Sequence, residues 1–367
     1  MRRLLFVAVV SLAAVPVIAQ DALTQPEIAV DSAPIITGAI EGYIRPAFHR
    51  FAGDIATMKG DMGELCADPA AAALTKAQAD FKLAAVSYSR IEFLRLGPLL
   101  VEDRAERLLF WPDSKGIALR QVQAALASKD PTAVDPATLR KKSVAMQGLN
   151  ALEYVLFGTG SESLATSNGA YRCGYGSAIS SLLNDLSTTL DTEWQDTSAR
   201  GPAEAMLHPK PDASDYRTPR EVLEKLASSL IVGSEVIRDQ RITPVIGASE
   251  GAPKPKSALF WRSGMTVPSL KAGFTGLNDF FIATQLPPTL KALGDAWISN
   301  GALFEFKNAI DTVDKITDPI DVAVADQRQF QALNTLVNLS RTLDTLLGEN
   351  LPAALGLTTG FSQLDGD

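Results

Sequence analysis

Two kinds of residue that many catalytic and metal sites require are scarce in this sequence. Its 367 residues include only two histidines, His49 and His208, so an HExxH zinc helix and any site with three histidines are excluded. Only two cysteines are present, which rules out a disulfide scaffold as the basis of the fold. A GxSxG nucleophile elbow, a P-loop and a dinucleotide-binding fingerprint are also absent. The sequence therefore carries no motif of the common hydrolases or nucleotide-binding enzymes.

Positive charge is also in short supply. There are 34 Lys and Arg residues against 42 Asp and Glu, a net charge of −8, and loss of Arg2 and Arg3 with an N-terminal leader leaves 32 − 42 = −10. An acidic chain without a basic run suits a small cation or a neutral partner better than nucleic acid or an anionic membrane surface. Hydrophobic residues make up 46% of the chain, which is enough for a sizeable core and too many for a disordered protein.

The first residues are typical of a secretory signal peptide. Two arginines follow Met1, and the apolar run of residues 4–18 is too short to span a bilayer comfortably. We expect cleavage after Ala19, so that residues 1–19 are removed; a retained membrane anchor is the alternative. No later stretch is long and apolar enough to cross a membrane. The sequence thus predicts a mature protein without a membrane span, most simply in a bacterial periplasm.

An oxidising compartment favours a disulfide between Cys66 and Cys173. The bond closes a loop of about 107 residues, which contributes roughly 4–5 kcal/mol in the chain-entropy model. A cysteine metal site is the alternative, but the two thiols lack CxxC spacing.

Helical periodicity runs through most of the chain, and no run of alternating strands occurs. The first helix is predicted over 36–65, where apolar residues recur at alternating spacings of four and three. The proline-rich segment 199–219 interrupts the pattern. We therefore predict an all-α fold of two helical-bundle domains packed side by side, residues 30–198 and 220–360, joined by that segment as a linker. The other predicted helices cover residues 70–96, 115–127, 136–157, 170–198, 220–241, 266–284, 287–299, 302–316 and 320–347.

The most informative segment is residues 144–157, VAMQGLNALEYVLF, in which Glu153 is the only charge. Both faces of this predicted helix are apolar, so the helix is expected to be buried on both sides. Asn150 then lies one turn from Glu153 inside a packed region. Burial of a lone carboxylate costs free energy, so Glu153 needs a partner. The partner is either an arginine, in a salt bridge that joins two helices, or a bound metal ion or ligand.

The same segment resembles a known family. Residues 148–158, GLNALEYVLFG, are similar to the GxHxxE signature region of the imelysin family. Shorter segments resemble further elements of that family in the same order, and together they cover most of the mature chain. These segments are RIE at 90–92 with LGP at 96–98, FWPD at 110–113, WRSG at 261–264, GLTTGF at 356–361 and LDGD at 364–367.

The resemblance implies an envelope protein of two helical-bundle domains, with the signature near their interface. The family includes insulin-cleaving metallopeptidases, iron-induced proteins and a metal-binding component of ferrous-iron uptake. In this chain Asn150 stands at the position of the signature histidine. A carboxamide oxygen is a weaker ligand for transition metals than an imidazole nitrogen, so zinc-dependent peptide hydrolysis is disfavoured.

A site built on this resemblance has oxygen donors. Glu153 and Asn150 are the expected metal donors, and iron or calcium is expected in preference to zinc. Three arginines within the matched segments are the candidate basic partners of Glu153, namely Arg90, Arg95 and Arg262. No catalytic residue is assigned. The full set of candidate ligand-binding residues is Asn150, Glu153, Glu92, Asp113, Trp111 and Arg262.

The expected function is that of a non-catalytic periplasmic protein associated with iron or metal binding, or with iron-responsive uptake. A metallopeptidase with an atypical ligand set and a peptide- or sugar-binding interaction protein are the alternatives. The expected partners are a metal ion or small ligand at the domain interface and possible envelope proteins, without nucleic acid.

Overall fold

The structure is a computed structural model that describes residues 30–247 and 252–357. The expected signal peptide, residues 1–19, and the C-terminal segments beyond residue 357 lie outside the described residues. Within the described ranges all regular structure is helical and no strand occurs, which confirms the all-α class. None of the helices in these ranges is long and apolar enough to span a membrane.

The N-terminal half contains nine α-helices within the described residues. They are α1 (Ala33–Ala39), α2 (Arg45–Ala67), α3 (Ala71–Ile91), α4 (Arg104–Leu108), α5 (Ile117–Ser128), α6 (Pro136–Leu139), α7 (Gly148–Phe157), α8 (Ala170–Gln195) and α9 (Pro202–Leu207).

The C-terminal half contributes eight more α-helices in the described ranges. They are α10 (Pro219–Glu235), α11 (Thr243–Ile246), α12 (Thr266–Ala283), α13 (Leu286–Leu293), α14 (Ala296–Val313), α15 (Ile320–Ala323), α16 (Gln327–Asp344) and α17 (Leu351–Leu355). Three π-helical segments continue neighbouring α-helices, at Ile40–Ile44, Val236–Ile242 and Thr345–Asn350.

Long helices follow the periodicity well, but three predicted helices are broken. The one expected over 320–347 is divided into α15 and α16. The helix expected over 136–157 is interrupted between Leu139 and Gly148, where the backbone of Gly148 has a φ of +77°. A Cβ atom on Gly148 would lie 2.7 Å from the carbonyl oxygens of Arg107 and Leu108, so glycine permits both the turn and the close approach. The helix expected over 287–299 is likewise wrong, because α13 ends before Gly294, whose φ is +92°.

The core of the N-terminal half is built on α2, which packs against α3 and α8. Cys66, near the end of α2, is bonded to Cys173 in the first turn of α8, with 5.5 Å between the two Cα atoms. The predicted disulfide is therefore confirmed. Helix α7 packs on α8 and also contacts α3, α4 and α5, which explains why both of its faces are apolar.

The apolar core continues from one half of the chain into the other. Helix α12 packs on α3, and the rings of Tyr43 and Phe93 contact the ring of Phe280 at centroid distances of 5.5 and 5.3 Å. The Tyr43 hydroxyl donates to the Arg90 carbonyl oxygen at 2.7 Å. The segment expected to be a linker, 199–219, contains α9, which packs on α8 and α1. The division into two domains stays a prediction.

Candidate functional site

The Glu153 carboxyl group on α7 is buried, with 4% of the residue exposed, as the sequence predicts. Its Oε1 atom accepts a hydrogen bond from the Ser263 backbone N–H at 2.9 Å, and the Ser263 hydroxyl lies at the same distance. Burial raises the pKa of Glu153 above its ordinary value. The Ser263 hydrogen bonds and the positive charge of Arg262 oppose that rise. The WRSG segment therefore supplies the immediate surroundings of the signature glutamate.

The Arg262 guanidinium lies near two aromatic rings and near this carboxyl group. Its central carbon is 4.5 Å from the ring centroid of Trp261 and 5.2 Å from that of Tyr154. Burial lowers the pKa of Arg262, while the charge of Glu153 counteracts this effect. Arg262 is thus the basic neighbour of Glu153 among the three candidates.

The other two candidate arginines are engaged elsewhere. Arg90 forms an ion pair with Asp279 at 2.5 Å, and Arg95 approaches Glu106 at 3.7 Å. Neither Arg90 nor Arg95 is therefore the basic partner of Glu153.

The Asn150 side chain joins α7 to the FWPD segment. Its Nδ2 atom donates to the Phe110 carbonyl oxygen at 3.1 Å. Its Oδ1 atom is buried and finds no hydrogen-bond partner among the described residues. A buried acceptor without a partner is uncommon, so this oxygen is a candidate contact for a water, an ion or a ligand group.

Trp111 and Asp113 have defined structural roles next to Asn150. The Trp111 indole N–H donates to the Gln240 carbonyl oxygen at 3.3 Å, which ties the FWPD segment to the π-helical segment 236–242. The Asp113 carboxylate accepts hydrogen bonds from the backbone N–H groups of Ile117 and Ala118, at 2.6 and 2.9 Å, at the start of α5. Both oxygens of Asp113 are consequently used in capping that helix.

Glu92 is not brought together with Glu153. It is buried in an ion pair with Arg241, whose guanidinium lies 6.0 Å from the Trp111 ring. Glu92 and Arg241 line a separate small cavity with mostly apolar walls. The opposite charge of Arg241 accounts for the burial of Glu92 without any ligand.

The remaining five candidate residues line one cavity of about 570 Å³. Its walls come from α5, α7, α11, the π-helical segment 236–242 and the loop that leads to the WRSG segment. Sequence reasoning missed several wall residues, although Trp261 and Tyr154 stand within the quoted motifs. The missed residues that carry charge or a ring are Tyr154, Asp239, Lys254, Lys256 and Trp261.

The family profile described as Peptidase M75, imelysin, matches residues 44–347, which is most of the chain. The chain belongs to the imelysin family. A search of curated protein sequences finds no match.

Two solved structures share the imelysin fold. An imelysin-like protein from Psychrobacter arcticum 273-4 has a TM-score of 0.74 at 16% identity, with 91% of this chain and 99% of that chain covered. A protein described as a putative iron-regulated protein A precursor, from Parabacteroides distasonis ATCC 8503, has a TM-score of 0.72 at 15% identity, with 91% and 97% covered. At these identities the likeness concerns the fold alone.

The imelysin signature region of this chain does not fit a firmly held metal ion. Within residues 30–247 and 252–357 no group of three or more His, Cys, Asp or Glu side chains is placed to bind one. Glu153 already accepts hydrogen bonds from Ser263, and the positive charge beside it opposes a cation. Asn150 and Glu153 together offer two kinds of oxygen donor, fewer ligands than a catalytic zinc site requires.

The two histidines lie outside the cavity and are exposed. The Nδ1 atom of His49 is 3.0 Å from Asp191, and the Nε2 atom of His208 is 3.7 Å from Glu204. Neither imidazole is therefore placed to replace the signature histidine.

Proposed function

We propose that this chain is a non-catalytic imelysin-family protein that is exported to the periplasm. There it binds a small ligand in the cavity beside Glu153, in a process linked to iron. The observation that carries the proposal is the environment of Glu153, which is bonded to Ser263 and lies next to Arg262, with an amide at the histidine position. The hydrogen bonds from Ser263 hold the Glu153 carboxylate in the cavity wall.

The peptidase alternative lacks the groups that metal-dependent hydrolysis needs. That reaction requires several strong ligands, an open coordination position and a base near the bound water. Here Asn150 replaces the nitrogen ligand, and both histidines lie elsewhere on the surface. Arg262 further disfavours a cation at the position where the catalytic metal would sit.

Export and the link to iron have separate support. The N-terminal residues 1–19 have the features of a cleavable signal peptide. One protein of the same fold is described as the precursor of a putative iron-regulated protein. We carry both properties over to this chain as part of the proposal.

A second candidate function is loose binding of a hard cation such as iron or calcium. The unpartnered, buried Oδ1 atom of Asn150 favours it, because carboxamide oxygens are ordinary ligands of hard ions. In this case Asn150 and Glu153 contribute two donors, and solvent or a bound ligand supplies the rest.

The decisive experiment measures proteolysis and metal content of the mature protein purified without chelators. We expect no cleavage of an unfolded protein substrate, with or without 1,10-phenanthroline, and less than one equivalent of iron, calcium or zinc. Glu153→Gln is compared with Glu162→Gln, because Glu162 is exposed in the turn after α7. Stoichiometric metal that is lost only in Glu153→Gln would favour the second candidate. Phenanthroline-sensitive proteolysis lost in the same variant would establish the peptidase.

The link to iron needs a separate measurement in the producing bacterium. The amount of the protein in the periplasmic fraction, measured by immunoblot, is expected to change between iron-limited and iron-replete cultures. An amount that is independent of iron supply, or a protein found only in the cytoplasm, would contradict this part of the proposal.

A further inference from the structure

We infer that the cavity is a receptor for a ring-bearing organic monocarboxylate, whose carboxylate pairs with the Arg262 guanidinium and whose ring lies against the aromatic wall. The inference rests on the proposed binding function and names the ligand class of the same cavity. It depends on three features of the cavity, namely an open guanidinium, an aromatic wall and carboxylates that are already engaged.

The guanidinium of Arg262 is held in place but has no polar partner. Trp261 and Tyr154 cover it at 4.5 and 5.2 Å, and no hydrogen bond or ion pair joins the guanidinium to another described residue. A guanidinium presents N–H donors in a planar fork that matches the two oxygens of a carboxylate. Contact with two rings restricts the movement of the guanidinium, so less conformational freedom is lost on binding.

Other arginines near this region each have a polar acceptor for at least one guanidinium nitrogen. Arg172 donates to the carbonyl oxygens of Tyr154, Val155 and Thr159, at 3.1, 2.9 and 2.9 Å. Arg241 is paired with Glu92. Arg262 differs from both because it lines the cavity with its fork unpaired.

The acidic side chains of the cavity wall are engaged, which leaves positive charge available. Asp113 caps α5, and Asp239 is paired with Arg238 at 2.6 Å. The amino group of Lys256 lies 5.8 Å from the ring centroid of Trp261, the same ring that Arg262 covers. Two cations, Arg262 and Lys256, therefore lie near the Trp261 ring.

The same acidic groups limit how much negative charge a ligand can carry. Glu153, Asp113 and Asp239 all border the cavity, so a dianionic phosphate ester meets more repulsion than a monocarboxylate does. The volume of about 570 Å³ is far larger than a simple acid such as acetate needs, and lies in the range of pockets for larger organic ligands. Trp111 and Trp261 provide flat apolar surface for a ring.

The test is isothermal titration of the mature protein, in buffer freed of metals by a chelating resin, with four matched probes. These are 2-naphthoate, the neutral 2-naphthamide, 2-naphthyl phosphate and acetate. We expect 2-naphthoate to bind at least about tenfold more tightly than each of the other three, because only it combines one carboxylate with a ring.

The variant Arg262→Lys keeps the charge but loses the planar set of N–H donors, and is expected to weaken 2-naphthoate binding by about tenfold or more. Lys256→Gln is expected to weaken it less. Arg140→Lys is the matched control, because Arg140 is exposed and paired with Asp185 outside the cavity, and it should bind as the unmodified protein does. Circular dichroism melting confirms that each variant is folded.

Three results overturn the inference. They are equal binding of the acid and its amide, tighter binding of the phosphate, and an Arg262→Lys variant that binds the acid as well as Arg140→Lys. Absence of binding for every probe up to the solubility limit also overturns it. None of these results restores proteolysis or metal dependence, so failure of the ligand class is distinguishable from failure of the proposed function.

Discussion

Glu92 and Glu153 are two buried glutamates of the same molecule with opposite surroundings. Glu92 lines a small cavity, where Arg241 neutralises it directly. Glu153 lines a much larger cavity, where it accepts hydrogen bonds from Ser263, and its arginine neighbour, Arg262, lines the same cavity. Burial of a carboxylate therefore does not by itself identify a ligand site. The feature that separates the two regions is whether the neighbouring cation is already paired.

The largest expected difference between the regions is in stability. Glu92→Ala leaves the Arg241 guanidinium buried without its counter-ion, and we expect a loss of about 3–5 kcal/mol in the free energy of unfolding. Urea denaturation followed by circular dichroism measures the loss. A cost below that of Glu153→Ala would reverse the comparison.

Glu153→Ala is expected to cost less, about 1–3 kcal/mol, because it leaves the Ser263 backbone N–H without its acceptor but strands no fully enclosed charge. The Ser263 hydroxyl can still donate to the Phe260 carbonyl oxygen at 3.0 Å. Glu153→Gln keeps an acceptor at the same place and should cost less again. The same denaturation series checks both variants. Equal losses in Glu153→Ala and Glu153→Gln would show that charge, and not hydrogen bonding, fixes this carboxylate.

Asn150→His tests whether the cavity beside Glu153 can bind a metal ion. The change places an imidazole one turn from Glu153, and we expect zinc affinity to rise about tenfold, or 1.4 kcal/mol. Titration with zinc measures the change, and Asn150→Gln, which adds length without a nitrogen ligand, serves as control. An unchanged affinity would mean that Arg262 keeps cations out even when the ligand is present.

Glu153 should also contribute to the pH dependence of the free energy of unfolding. Its pKa is raised in the folded protein, so the folded state holds the proton more tightly than the unfolded chain does. The unmodified protein is then expected to lose stability relative to Glu153→Gln as pH rises from below the ordinary carboxyl pKa through the folded value. Urea midpoints of both proteins across this pH range check the sign. If the unmodified protein instead gained stability relative to Glu153→Gln as pH rises, the pKa of Glu153 would be lowered in the folded protein.

Much of the fold could be predicted from local pattern. Apolar spacing located the long helices, and the two apolar faces of residues 144–157 predicted that Glu153 is buried. The break before α7 was missed because it depends on the close approach of Gly148 to the carbonyl of Leu108, a contact between segments.

Individual residues of the site could be predicted from the sequence, but their contact partners could not. The motifs singled out five residues of one cavity, yet the contact of Glu153 with Ser263 spans 110 residues and that of Glu92 with Arg241 spans 149. Such partners are chosen by tertiary packing, which leaves no periodic signal in the sequence. For the same reason, nothing local showed that Glu92 is paired with a distant arginine.

The bond between Cys66 and Cys173 makes a covalent ring of the segment that contains the FWPD motif, α5, α6 and α7. All the cavity residues contributed by the N-terminal half, from Trp111 to Tyr154, lie within that ring. A single cut by a protease in any of its loops opens the ring but releases no fragment. This part of the cavity wall thus stays attached to the molecule after such a nick, and the two fragments separate on a denaturing gel only after reduction.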